Sequence, residues 1–177
     1  MKTKLNKRDF EQVKEVNRLQ LKVDSQTEFN VESVSEEIFK HQPFFLSVLL
    51  GYRLETSPEE LGEIMKIYFL TWEYFKSSPN VWNEPINKSY YEKIENNHIQ
   101  MLKYIESESD PEEQQKIYLS YSQNVDSKAL LATIFFRFKN RPFLNEMDER
   151  SKAVIILGIA SFVECFEKIS RKSTASQ

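Results

Sequence analysis

A glutamate and a histidine one helical turn apart are the residues of this sequence best placed to do chemistry. In Glu95-Asn96-Asn97-His98, the carboxylate and the imidazole would project from the same side of a helix. Bundle proteins that bind two metal ions use one Glu-x-x-His unit on each of two helices, with single glutamates from two others. The second histidine, His41, follows Glu37 at a spacing of four residues instead of three. The candidate ligands of a transition metal in a helical enzyme are therefore Glu37, His41, Glu95 and His98, with Glu63, Glu73 and Glu164 as further carboxylates.

A structural role is the alternative for the same two histidines. His98 falls on an apolar stripe with Tyr91 and Ile105, a pattern typical of a buried ring with one or two hydrogen bonds. His41 precedes Pro43, where a helix should end, and its charge would complement the helix dipole there. Because only half of a two-metal ligand set is visible, the sequence favours the structural role, and we expect no cofactor.

Three basic residues close to another proline form a candidate anion-binding site. Arg137, Lys139 and Arg141 lie just before Pro142 and could bind a phosphate or an acidic partner. Cations are also common at the C-terminal ends of helices, where they need no ligand. Three charges are too few for a nucleic-acid surface, and the net charge of −3 favours neither nucleic acid nor acidic lipid as a partner.

The composition argues against several other kinds of site. The three glycines form no nucleotide-binding loop, and the single cysteine, Cys165, has apolar neighbours and should be buried and inert. A lone cysteine, together with an N-terminus that lacks an apolar signal segment, predicts a cytoplasmic protein. The apolar run 153–163 is shorter than the ~20 residues that span a bilayer, so we expect no membrane segment.

The elements that must position these side chains are helices. Apolar residues recur every three or four positions along most of the chain, no stretch alternates like a strand, and glycine and proline are scarce. Ser57-Pro58-Glu59-Glu60 and Asp110-Pro111 have the composition of helix starts. We predict an all-α, single-domain bundle of about six to seven helices, in which the apolar helices near 44–52 and 148–170 are central.

The chain divides by composition into four segments. Residues 1–23 form a basic amphipathic N-terminal arm, 24–34 a polar linker, 35–172 the helical bundle, and 173–177 a disordered tail. The arm is too thin to be stable alone, and the aromatic side chains are more numerous than one core can hide. We therefore expect a non-catalytic domain that binds a protein partner or a second copy of itself. The candidate contact residues are Phe10, Val13, Val16, Leu19, Phe69, Phe75 and Phe136.

Overall fold

The computed structural model of the chain describes residues 7–25, 29–116 and 124–172. Within these ranges the regular secondary structure is helical and no strand occurs, which confirms the predicted all-α bundle. The labelled helices are α1 (Lys7–Asp24), α2 (Val31–His41), α3 (Pro43–Gly51), α4 (Pro58–Phe75), α5 (Pro79–Asn83), α6 (Lys88–Ser107), α7 (Lys128–Asn140), α8 (Pro142–Asn145) and α9 (Glu149–Arg171). A short 3₁₀ turn (Tyr52–Leu54) follows α3, and residues 111–116 are also helical.

Short polar motifs set the starts of two helices. At the start of α4, Ser57 Oγ accepts a hydrogen bond from Glu60 N at 3.2 Å, and Glu60 Oε2 accepts one from Ser57 N at 2.7 Å, which together form a capping box. α2 begins inside the predicted linker, because the Asn30 side chain accepts a hydrogen bond from Ser33 N and caps the helix. Residues 31–34 are therefore helical and do not belong to a linker.

The predicted break before Pro43 is present. α2 ends at His41, α3 begins at Pro43, and Gln42 between them is buried. The side-chain amide of Gln42 donates a hydrogen bond to Val81 O at 2.6 Å and accepts one from Ile86 N at 2.9 Å. The break therefore attaches the α2–α3 junction to α5 and to the segment that follows it.

Aromatic rings from three helices form the centre of the core. Phe45 of α3 stacks on Tyr68 of α4, with ring centroids 4.6 Å apart. The Phe45 ring also contacts Phe162 and Phe166 of α9 edge-on, with ring centroids 4.8 and 5.2 Å apart. Phe75, at the end of α4, stacks on Phe166 at 5.3 Å. Such pairs add geometric preference to the burial of large apolar surfaces, so they hold α3, α4 and α9 in one arrangement.

The two apolar segments that the sequence places at the centre differ in their burial. Between residues 155 and 169, α9 exposes only Lys168. α3 buries Phe45 and Leu49 but exposes Leu50, so this helix packs by one face.

The N-terminal helix α1 belongs to the same core. Val16, Leu19 and Val23 are buried, and the helix packs on α4 and α7 of its own chain. These contacts supply the apolar surface that a thin amphipathic helix needs. The predicted tail 173–177 and the first six residues of the predicted arm lie outside the described residues.

Gly158 of α9 leaves room for two tyrosine hydroxyl groups. A Cβ atom at this position would lie 2.7 Å from Tyr52 Oη and 3.1 Å from Tyr91 Oη. Tyr68 donates a hydrogen bond to Tyr52 Oη at 3.4 Å. Burial raises the pKa of all three tyrosines, so the hydroxyls stay protonated at neutral pH.

We expect Gly158→Ala to destabilise the fold by about 1–2 kcal/mol. Displacing two packed hydroxyls costs more than the ~1 kcal/mol that alanine gains over glycine inside a helix. Gly62→Ala is the matched control, because a Cβ at Gly62 meets nothing within 4 Å and the change should be neutral or stabilising. Urea unfolding followed by circular dichroism measures both variants. Equal stability of the two variants would contradict the close approach at Gly158.

Candidate functional site

The four predicted metal ligands take part in separate polar contacts. Glu37 accepts hydrogen bonds from Trp72 Nε1 and from Lys76 Nζ, the second at 3.2 Å. His41 Nδ1 lies 2.9 Å from Trp82 O, and the two rings meet edge-on. These two residues of α2 therefore face α4 and α5 respectively.

Glu95 and His98 share α6 but contact different groups. Tyr91 Oη donates a hydrogen bond to Glu95 Oε1 at 2.7 Å, whereas His98 Nε2 lies 2.5 Å from Glu164 Oε2 on α9. The ring of His98 is buried. Across residues 7–25, 29–116 and 124–172, no three His, Cys, Asp or Glu side chains are grouped so that they could hold a metal ion.

The contact between His98 and Glu164 joins α6 to α9. The hydrogen bond to His98 lowers the pKa of Glu164 to about 2, and Lys168 Nζ at 2.7 Å from Glu164 Oε1 acts in the same direction. Burial raises the pKa of the adjacent Cys165 thiol to about 12. A thiol that stays protonated at neutral pH is a poor nucleophile, so this arrangement fastens two helices and does not activate Cys165.

A partly buried group of two arginines and two carboxylates joins α1, α4 and the C-terminal end of α7. Arg137 is 1% exposed, and its Nη2 atom lies 2.6 Å from Asp24 Oδ2. Arg141 Nη2 lies 2.8 Å from the same oxygen. Glu63 Oε2 lies 3.9 Å from Arg137 Nη1 and 3.8 Å from Arg141 Nε. We call Asp24, Glu63, Arg137 and Arg141 the arginine–carboxylate cluster.

This cluster accounts for two of the three residues of the predicted anion site. Arg137 and Arg141 bind carboxylates of their own chain, whereas Lys139 is exposed. Spacing in the sequence gives no sign of this pairing, because Asp24 lies 113 positions from Arg137. In the sequence, Asp24 is the first residue of the predicted linker. Only the folded structure shows that Arg137 of α7 is its partner.

α1 and α7 lie side by side and run in the same direction. At the N-terminal end of the pair, Gln12 Nε2 donates to Asp126 O at 2.8 Å, and Arg8 pairs with the Asp126 carboxylate at 3.3 Å. Asp126 lies two residues before the first residue of α7. At the opposite end, Asp24 of α1 binds Arg137 of α7. Contacts at both ends therefore fix how the two helices lie against each other.

Both helices expose apolar side chains opposite the stripes that they bury. Phe10 is 61% and Leu21 75% exposed on α1, and Phe136 is 62% exposed on α7. Six of the thirteen large apolar side chains that are exposed in the described residues lie on α1, α7 and the adjoining α8. Clusters of exposed apolar residues mark contact surfaces more often than scattered ones do. The six residues, which we call the α1–α7 face, are Phe10, Val13, Leu21, Phe135, Phe136 and Phe143.

The seven contact residues predicted from the sequence divide between the core and this face. Phe10, Val13 and Phe136 are exposed and belong to the α1–α7 face, whereas Val16, Leu19, Phe69 and Phe75 are buried in the chain's own core. The four buried residues are no contact surface for a partner, because α1 and α4 pack on each other within one chain. The sequence does not show which of these residues are buried in the chain's own core, because an amphipathic stripe has the same pattern whether its own chain or a partner covers it.

Basic residues outnumber acidic residues around the α1–α7 face, where Glu11 is also exposed. Lys7 and Lys14 of α1 and Lys128 and Lys139 of α7 are exposed. In the part of the chain that the structure describes, none of these four lysines forms an ion pair. α7 and α8 contain no acidic residue.

A cleft of about 580 Å³ lies on another side of α1, where that helix meets α4 and α9. Several charged groups in its walls pair with one another or with the backbone. Arg171 Nη2 lies 2.6 Å from Asp126 Oδ2, and Ser127 N donates to Glu167 Oε1 at 2.6 Å. The cleft is therefore lined by polar contacts that join these helices.

A comparison of the chain with protein-family models, curated proteins and solved structures finds no match. Among the described residues, no helix is both long enough and apolar enough to cross a membrane.

We expect Asp24→Ala to destabilise the fold by about 3 kcal/mol, because it leaves the buried guanidinium of Arg137 without its closest carboxylate. The double variant Asp24→Ala/Arg137→Met should be more stable than Asp24→Ala alone, since methionine removes the uncompensated charge. A double-mutant cycle in urea measures this coupling. Additive effects of the two substitutions would contradict a direct interaction.

We also expect Glu164 to make stability depend on pH in acid. The pKa of Glu164 in the folded protein, about 2, lies below the ordinary value of 4.5. The stability that the ionised carboxylate adds is therefore complete above pH 4.5 and is lost as the pH falls towards 2. Because the carboxylate is partly exposed, we expect a contribution of only about 1–2 kcal/mol. Glu164→Gln should remove this part of the pH dependence.

Glu92→Gln is the control for that measurement, since Glu92 forms an exposed pair with Lys88 at 3.6 Å. Urea unfolding at neutral pH and between pH 4.5 and 2 gives the comparison. An unchanged acid dependence in Glu164→Gln would show that other carboxylates cause it.

Proposed function

We propose that the chain is a non-catalytic, helical protein-binding domain and that the α1–α7 face is its contact surface. The observation that carries the proposal is the concentration of exposed apolar side chains on two helices packed side by side. Seven other rings are buried in a core shared by α3, α4 and α9: Phe45, Tyr68, Phe69, Trp72, Phe75, Phe162 and Phe166. Rings that stay outside a well-filled core are available to a partner.

Burial of the face by a partner would contribute useful binding free energy. A fully buried Phe or Leu side chain contributes about 1.5–3 kcal/mol relative to an exposed one. Phe135 and Phe143 are 43% and 51% exposed, so burial of their remaining surface would contribute about half of that free energy. After the cost of association is subtracted, a face of this size supports a dissociation constant on the order of micromolar.

The shape of the face suits a helix as the bound element. Two helices that lie side by side leave a shallow groove between them. The exposed stripe of α1 from Lys7 to Leu21 is about 21 Å long at 1.5 Å per residue. A partner helix of about four turns would match this length, with apolar anchors at positions i, i+3 or i+4, and i+7.

The polar contacts of the predicted metal ligands also support binding over catalysis. Glu37, His41, Glu95 and His98 each have a partner from the fold itself. These contacts account for the four residues through the fold, so no catalysed reaction is needed to explain them.

Selection from a library of helical peptides with randomised surface positions tests the proposal. We expect the selected peptides to lose about tenfold in affinity on Phe10→Ser and on Phe136→Ser, because each change removes an apolar anchor. Phe39→Ser is the matched control, since Phe39 is 68% exposed but lies on α2. Fluorescence anisotropy measures binding, and circular dichroism verifies that each variant is folded. Binders that tolerate both substitutions on the face would contradict the proposal.

A further inference from the structure

The residues between the apolar side chains of the α1–α7 face indicate the charge of its partner. On the side opposite its buried residues α1 exposes three basic residues and one acidic residue among apolar and neutral ones: Lys7, Phe10, Glu11, Lys14, Asn17, Arg18 and Leu21. α7 has an exposed stripe of the same character: Lys128, Ala132, Phe135, Phe136 and Lys139. Both stripes therefore combine apolar residues with lysine.

This composition departs from that of the chain as a whole, which has 27 acidic and 24 basic residues. Arg18 is already bound by Glu15, with Nη2 2.7 Å from Oε1. Of the remaining charges, Lys7, Lys14, Lys128 and Lys139 outnumber Glu11, so the face keeps a net positive charge. A partner that presents carboxylates within a Debye length of about 8–10 Å would be attracted by all four.

A second copy of the chain suits this surface less well. In a two-fold symmetric dimer, the same patch of each copy faces the other. The lysines of one face would then lie against the lysines of its copy, and juxtaposed like charges oppose association.

We infer that the α1–α7 face binds an acidic amphipathic helix of a partner protein. Apolar residues of that helix contact Phe10, Leu21 and Phe136, and carboxylates along its flanks pair with the four lysines. The inference rests on the proposed function and specifies the chemical class of the partner.

Two synthetic helical peptides of about four turns test it directly. Both carry the same stripe of leucine and phenylalanine, but one has glutamates on its flanks and the other has lysines. We expect the glutamate peptide to bind about tenfold more tightly at low salt, and the difference to shrink as salt screens the charges. Fluorescence anisotropy against the full chain measures both affinities.

Charge reversal on the protein identifies the lysines that cause the preference. The variant Lys14→Glu/Lys128→Glu/Lys139→Glu should reverse the preference and favour the lysine peptide. The matched control is Lys40→Glu/Lys93→Glu/Lys103→Glu, which changes the net charge equally at exposed positions on α2 and α6. It should retain the preference for the glutamate peptide. Circular dichroism verifies that both triple variants are folded.

The outcomes separate this inference from the proposed function. If both peptides bind equally and both lose affinity on Phe136→Ser, the face binds proteins but the charge inference is wrong. If neither peptide binds and the library gives no binder sensitive to that substitution, the proposed function fails as well.

Two further results would overturn the inference by assigning the face to another occupant. One is sedimentation with phosphatidylcholine–phosphatidylserine vesicles that depends on the three reversed lysines while the glutamate peptide does not compete. The other is a dimer in analytical ultracentrifugation that Phe10→Ser dissociates. We expect no vesicle binding and a monomer.

Discussion

The rest of the structure depends on the ion pair between Asp24 of α1 and Arg137 of α7, which lie 113 positions apart in the sequence. α1 buries only Val16, Leu19 and Val23, which is little apolar surface for a helix of this length. Asp24 adds a charged contact at its C-terminal end, where Oδ2 accepts hydrogen bonds from both Arg137 and Arg141. Loss of this contact would leave a guanidinium that is 1% exposed without its closest carboxylate. The fold therefore favours the arrangement in which α1 stays docked on α7.

The same cluster also fixes the register of α1 along α7. Arg137 Nε and Nη1 are buried and form no hydrogen bond with any described residue, so the cluster is not optimised for stability. Well-packed apolar residues in place of such a group are often more stable, whereas a charged pair has one good alignment. A shift of α1 by one turn, about 5.4 Å, would separate Asp24 from Arg137 and would offset the exposed stripes of the two helices. The cluster thus contributes geometry to the proposed contact surface as well as stability to the fold.

Local features of the fold could be predicted from the sequence, and long-range polar partners could not. The helix start at Ser57 and the break at Pro43 depend on neighbouring residues, and both are present in the structure. The Glu-x-x-His pattern correctly predicts that Glu95 and His98 lie on one helix. It does not predict their partners, which are Tyr91 of the same helix for Glu95 and Glu164 of α9 for His98. The sequence contains the arginines of the cluster without showing that Asp24 neutralises them. Among the predicted contact residues Phe10 and Phe136 are exposed, while the distinction from Phe69 and Phe75 required knowledge of which helices pack together.

α1 combines two roles on opposite sides of one helix, and this explains why its composition is unusual for either role alone. Its buried side contributes only Val16, Leu19 and Val23 to the core, and the ion pair of Asp24 adds to its docking. Its outer side carries Phe10 and Leu21, which contribute nothing to the core and are free of the packing constraints that act on Val16. Substitutions on the outer side should therefore alter contacts with a partner while leaving the fold intact, whereas substitutions on the inner side should affect both. A segment that composition presents as a detachable arm is, in the folded chain, part of the core and half of the proposed contact surface.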